Sequence, residues 1–275
     1  MSKFRGNRNK RSKPVVGDKA KETLENMDEN NPVLVMFREY SLELDSKLDR
    51  YERIIKLSRD VTIEAKRVIF LLHNTNTDIE SKKKSILEEA DNRLKALVDT
   101  SFKAIAKELQ NQDAYQYHRA YTGGLQEFIE ALTFCQFIKN ASINPWDNID
   151  QLFRYEDEEC GKYSLLFPQY DFILGIADFT GELMRRCINT LGVGNVDECF
   201  KLCDFVRYIN TGFLGLISPG NKELSRKAYV LRQSLAKMEL VCYNIQIRGT
   251  EVPKHMLIGV IESPDVNTDD DEGFF

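Results

Sequence analysis

Leu44, Leu48, Tyr51, Ile55, Ser58, Thr62, Ala65, Ile69 and Leu72 follow one another by steps of four and three. That spacing returns small or apolar side chains to one stripe of an α-helix about eight turns long. A helix of that length cannot satisfy its stripe alone, so it belongs to a bundle or an assembly. Asn31 fits an N-cap and Pro32 the first helical position, where a missing N–H costs nothing, so the helix is expected from Asn31 to about His73.

The rest of the chain repeats the logic. "NTNTD" breaks it, and a second helix is expected from about Ile79 to Gln110, with Val98, Phe102, Ile105 and Leu109 on one face. Asp113 caps a third, reaching about Lys139. Residues 140–167 read as an irregular loop with an acidic "YEDEE" patch and one short helix near Ile149 to Phe153. Pro168 opens a helix running to about Leu191. Asn195 and Glu198 fit a capping box for the next, to about Leu216. In the last helix Leu224, Ala228, Leu231, Leu235, Met238, Cys242 and Ile245 repeat the four-three spacing up to Gly249. No alternating strand pattern bounded by hairpin turns is expected anywhere. The fold class is all-α, a bundle of about six or seven helices.

Composition bounds the rest. A chain of 275 residues that is 42% hydrophobic buries a substantial core, and no run of about 18 apolar residues offers a membrane span. The basic head, Lys3 to Lys13, has no apolar segment of a secretory signal. It reads as a nuclear-import signal, a nucleic-acid arm or a solvated tail. Residues 1–30 and the acidic residues 258–275 are expected to be disordered around one folded domain, 31–257. The six cysteines are expected to be reduced thiols of the cytosol or nucleus. Cys199 and Cys203 lie four apart, with no Cys or His pair nearby in the sequence to complete a zinc site.

The chemistry lies in two helices. In "GGLQEFIEALTF", residues 123–134, Arg119, Gly123, Glu127 and Glu130 share one face of the third helix. In "YDFILGIADFTGELMRR" the same happens with Asp171, Gly175, Asp178, Glu182 and Arg185, flanked by the ridge Phe172, Ile176, Phe179 and Leu183. Carboxylates embedded in apolar helices need cations, protons or strong donors. Two readings satisfy them. Packed side by side, Glu127, Glu130, Asp178 and Glu182 converge on a metal, and hard oxygen donors without histidine favour Mg²⁺ or Mn²⁺. Alternatively, Glu127 pairs with Arg119 or another helix's lysine and Glu182 with Arg185 or Arg186, as structural ion pairs. Gly123 and Gly175 allow close approach of a substrate backbone or of another helix. Arg53, Lys56 and Arg59 on the first helix, with His118 and Arg119 on the third, are candidate phosphate contacts. Interleaved acids make intrahelical pairs an equal explanation.

Four stretches together, "DRYERIIKLSRDVTIEAKRVIFLLH", "YQYHRAYTGGLQEFIEA", "DFILGIADFTGELMR" and "SLAKMELVCYNIQIRGTEVPKHML", resemble the translin family, in its branch of translin-associated factors. The resemblance spans about residues 32–257. It implies a seven-helix all-α fold of the translin type and a hollow hetero-oligomer with translin, usually octameric. It further implies Mg²⁺-dependent endoribonuclease activity on single-stranded RNA, such as nicked passenger strands during small-RNA loading of Argonaute and transfer-RNA processing fragments. The family's catalytic carboxylates fall here on Glu127, Glu130 and Asp178, with Glu182 completing the site. A cytoplasmic and nuclear location and dependence on a translin-like partner follow from the same resemblance. The alternative function is a non-catalytic RNA-binding or scaffold subunit.

Overall fold

A computed structural model describes residues 30–76, 79–158, 161–193, 195–216 and 220–248. The expected disordered head, the acidic tail and the stop at Gly249 lie outside them. The order is α1 (Pro32–His73), α2 (Glu80–Leu97), a π-helical turn (Val98–Phe102), α3 (Lys103–Glu108), α4 (Ala114–Asn140), α5 (Trp146–Asp150), a 3-10 turn (Gln151–Phe153), β1 (Arg154–Asp157), β2 (Gly161–Ser164), α6 (Gln169–Val193), α7 (Val196–Leu214) and α8 (Lys222–Arg248). With α2 and α3 taken as one interrupted helix, seven helices lie among the described residues, and the class is all-α as read.

The chain divides into two units, Met1–Asp49 and Arg50–Phe275. In the first, Asn31 caps α1 by accepting the Val33 N–H at 3.0 Å. Leu44 and Leu48 of the anticipated stripe are exposed there, together with Val33, Phe37 and Leu42.

In the second unit, α1 buries Ile54, Ser58, Val61, Ala65, Val68, Ile69 and Leu72. Tyr51, Ile55 and Thr62 of the expected stripe are only part-buried, because the stripe is centred one residue earlier, on Ile54, Val61 and Val68. In a 3.6-residue helix either set keeps the spacing, so spacing alone leaves the rotation open. Caps fell where expected: Asp113 accepts the Tyr115 N–H at 3.0 Å and Asn195 the Glu198 N–H at 3.3 Å. Every position of the expected α8 stripe is buried.

Two expectations fail between Asn140 and Pro168 and between Val98 and Phe102. The "YED" and "GKYS" segments form an antiparallel hairpin, with Tyr155 opposite Tyr163 and their rings 5.6 Å apart. Four-residue strands are too short to show alternation, and Gly161 at φ +67° marks the turn that admits them. The second helix carries a π turn, whose Val98 carbonyl accepts the Tyr155 hydroxyl at 3.0 Å.

Contacts order the helices. Lys66 meets Glu127 and His73 meets Phe134, His118 meets Asp171 and Phe134 meets Phe179, and Tyr170 meets Glu223 and Lys227 meets Asp178, so α1 beyond Arg50, α4, α6 and α8 run in one direction. The interrupted α2–α3 helix and α7 run against them, as Arg93–Glu64 with Glu108–Arg53 and Cys199–Cys242 with Arg207–Glu239 require. Two glycines set the closest crossings. A Cβ on Gly124 would lie 2.6 Å from the Ser58 carbonyl oxygen, and one on Gly175 would lie 2.7 Å from the Ile129 Cβ. Of the two meanings open to Gly175, helix packing is the one realised; Gly123 faces open space.

Candidate active site

The Gly175–Ile129 crossing has a direct chemical consequence. Glu130 follows Ile129, and Asp178 lies one turn beyond Gly175, so the closest contact of α4 and α6 sets these two carboxylates beside one another. Glu127, Glu130, Asp178 and Glu182 all line one open cleft of about 600 Å³. Lys66, Ile69 and Phe70 of α1, Arg185 of α6, and Lys227 and Val230 of α8 complete its walls.

The four acids are not equivalent. Glu127 is 3.1 Å from the Lys66 ammonium. The Lys227 ammonium sits on both oxygens of Asp178. Glu182 is 2.5 Å from His73 Nε2, with Arg185 at 3.8 Å. Among the described residues the Glu130 side chain has no bonded donor; burial, then the charges of Asp178, Glu127 and Glu182, push its carboxyl up to about 8 despite the opposing pull of Lys227. A half-buried acid pressed by three like charges is stabilised by any positive charge brought beside it.

The four acids therefore share one cleft, as side-by-side packing of the two helices implies, and the anticipated ion pairs are present in part. Another helix's lysine does hold Glu127, and Arg185 lies near Glu182. Arg119 is exposed, and Arg186 turns instead to Glu198 at 2.8 Å and to the Thr75 hydroxyl. As the side chains stand, no three His, Cys, Asp or Glu groups among the described residues are arranged to hold a metal ion. The donor set nonetheless suits a hard divalent cation: four carboxylates around one cleft, one of them lacking any cationic partner.

Lys66 belongs to the basic series of the first helix that could track phosphates, and it lines the cleft; His73 and Lys227 are cleft-side residues to which the sequence reading gave no role. His73 ends α1, and its distance from Glu182 along the chain hides the pairing. Lys227 falls seven residues after Gly220, off the buried stripe of α8, which was a legible sign of a polar role.

The candidate phosphate contacts divide. Arg53 is engaged through two hydrogen bonds with Glu108, at 2.8 and 2.9 Å. His118 Nε2 lies 2.6 Å from Asp171. Lys56 and Arg59 are exposed, and Arg59, one heptad before Lys66, shares its helix face. The thiols among the described residues are buried and free, as expected. Folding brings Cys187 and Cys242 against Cys199 and Cys203, a grouping that chain distance concealed.

A sequence model of the translin family matches residues 49–249. The chain belongs to the translin family. Among curated members of the family, it is 39% identical to Translin-associated protein X of Pongo abelii over 90% of both chains. It is 40% identical to the Mus musculus protein of that name over 84% of both. Translin of Mus musculus is 21% identical, over 75% of this chain and 89% of its own. Two solved structures share the translin-type fold at a TM-score of 0.58. Apo-NeC3PO is 20% identical over 76% of this chain and 95% of its own. AfC3PO in a duplex RNA complex is 19% identical over 79% of this chain and all of its own.

Proposed function

We propose that this translin-family chain is the catalytic subunit of a metal-dependent endoribonuclease, assembled with translin in a hetero-oligomer. The observation that carries the reading is the single cleft lined by Glu127, Glu130, Asp178 and Glu182, with Glu130 raised to about 8 by burial and by its three acidic neighbours. Glu127, Glu130 and Asp178 would hold Mg²⁺ or Mn²⁺, and Glu182 would complete the shell or orient water. When bound, such an ion lowers the pKa of water and offsets charge on a phosphodiester.

The chain's own groups have separate tasks. Lys66 and Lys227 neutralise Glu127 and Asp178, and both ammonium groups line the cleft where a phosphate would enter. His73 fixes one oxygen of Glu182 and packs against Phe134, which holds the imidazole in place. Burial and its acidic neighbours favour a proton on Glu130, which would be lost from the carboxyl oxygen to water as a cation binds.

Family membership supports single-stranded RNA as substrate, including passenger strands during Argonaute loading and transfer-RNA processing fragments. It also supports an octameric assembly and a cytoplasmic and nuclear location. The exposed apolar residues of α1 up to Leu48, and Tyr229, Val230, Tyr243 and Ile247 on α8, support a partner-bound state. One observation favours the second reading, a non-catalytic RNA-binding or scaffold subunit: three of the four acids already have cationic partners.

Glu127→Gln, Glu130→Gln and Asp178→Asn in the co-expressed complex decide between them. The proposal expects RNA cleavage to fall by about two orders of magnitude with assembly and RNA affinity retained. Near-normal cleavage in all three overturns it.

A further inference from the structure

The acidic cleft has a neighbour of opposite character. A second cavity of about 430 Å³ is lined by Lys66, Arg67, Phe70, Leu71, Asn74 and Arg93, and it contains no acid. The two cavities share Lys66 and Phe70. Phe70 is 67% exposed although it sits in the well-packed half of α1, one residue from buried Ile69. Aromatic rings are costly to leave in water, and this one lines two cavities whose walls also carry Lys66, Arg67 and Arg93.

The surrounding charges define what the ring could receive. Arg67 contacts Glu64 at 3.2 Å, and Arg93 contacts Glu64 at 3.2 Å and Glu89 at 2.7 Å. Arg67–Glu64 and Arg93–Glu89 are solvent-exposed pairs, which contribute little stability and can exchange for a phosphate, while Arg93–Glu64 is part-buried and fixes the position of the guanidinium. A flat apolar face beside guanidinium groups is the combination that single-stranded nucleic acid uses: a base stacks while its backbone meets positive charge. Arg59, Ile63, Lys66 and Phe70 also follow one face of α1 toward the acids, all of them exposed.

We propose that Phe70 is a base-stacking platform on which one nucleotide of a single-stranded RNA rests, its phosphate held by Arg67 and Arg93, beside the phosphodiester presented to Glu127, Glu130 and Asp178. This subsite rests on the endoribonuclease reading for its place next to the acids, but its binding is independent of metal.

The test uses the full chain co-purified with its translin-type partner and a short oligouridylate carrying one 2-aminopurine, in metal-free buffer. Stacking on Phe70 quenches the fluorophore. Phe70→Ala is expected to weaken binding about tenfold and abolish the quench, whereas Phe70→Trp retains both. Arg67→Ala with Arg93→Ala should lower the salt dependence of binding while leaving the quench of the bound fraction intact. Unchanged binding and quench in Phe70→Ala overturn the platform and leave the cleavage assay of the acid variants to stand or fall separately. Loss of partner assembly in Phe70→Ala also overturns it, by assigning the ring to a protein interface. Because the ring is exposed, an unaltered melting temperature is expected in both Phe70 variants.

Discussion

The interface between α4 and α6 carries two buried acidic stations, and they are opposites. At the first, Asp171 is 1% exposed and accepts from His118 at 2.6 Å, Thr122 at 2.5 Å and Gln126 at 2.9 Å, all from α4. Burial pushes its carboxyl up, but those three hydrogen bonds together outweigh burial and leave it lowered. At the second, two turns along, burial again pushes the carboxyl up, and Glu130 rises to about 8 because no donor offsets that burial and the charges of Asp178, Glu127 and Glu182 add to it. Burial of a carboxylate is thus common to a structural tie and a candidate active site. The supply of donors distinguishes them.

Matched substitutions should break or sharpen that contrast. The largest effect is expected at the satisfied station. Asp171→Ala strands three donors in the helix interface, and we predict a loss of about 3 kcal/mol or more, seen as a lower melting temperature. If Asp171→Ala melts like the parent, the first station is not a structural tie.

At the unsatisfied station the sign reverses. Between pH 4.5 and about 8 the folded chain keeps a proton on Glu130 that the unfolded chain has released, so stability falls as pH rises through that window. Asp171, with a lowered folded value, contributes stability above the ordinary carboxylate range that is lost only as pH falls through it. We predict that Glu130→Gln removes the decline between pH 4.5 and about 8, and that its melting temperature equals or exceeds the parent's near pH 8 without divalent metal. A parent whose melting temperature is flat across that window would show that Glu130 is not held protonated. Added Mn²⁺ should flatten the parent's decline and leave Glu130→Gln little changed.

Local rules made some of this legible and left the rest hidden. Asn31, Asp113 and Asn195 were readable as caps because a cap acts on an N–H two or three residues away. The α8 stripe was readable because every one of its members meets the same core. The rotation of α1 was not, since Tyr51–Ile55–Thr62 and Ile54–Val61–Val68 obey the same spacing and only packing chooses between them. Four acids on two helices could be foreseen to share faces; that those faces meet depends on the Gly175–Ile129 crossing. Lys66, His73 and Lys227 come from two other helices; a lysine partner for Glu127 could be foreseen in kind, but chain distance conceals which residue it is and hides His73 and Lys227. The family resemblance favoured Glu127, Glu130 and Asp178 over Asp171, whereas helical spacing treated all of them alike.

The smallest effect is also the most diagnostic. Lys227, its side chain 18% exposed, holds Asp178, and its charge opposes the rise at Glu130. If the second station awaits a divalent cation, Lys227 is a competitor for Asp178. Replacing it by methionine keeps the aliphatic stem and removes the competing charge. We predict that Lys227→Met costs about 1 kcal/mol or less in stability, because the pair is part-exposed, and tightens Mn²⁺ binding by roughly fivefold, the same free energy seen from the other side. Calorimetric titration of the metal-free complex with Mn²⁺ reads this directly, without reference to cleavage. A melting temperature that drops while Mn²⁺ affinity stays fixed would make Lys227–Asp178 a plain tie between α6 and α8. The two stations would then differ in degree of satisfaction, and not in kind.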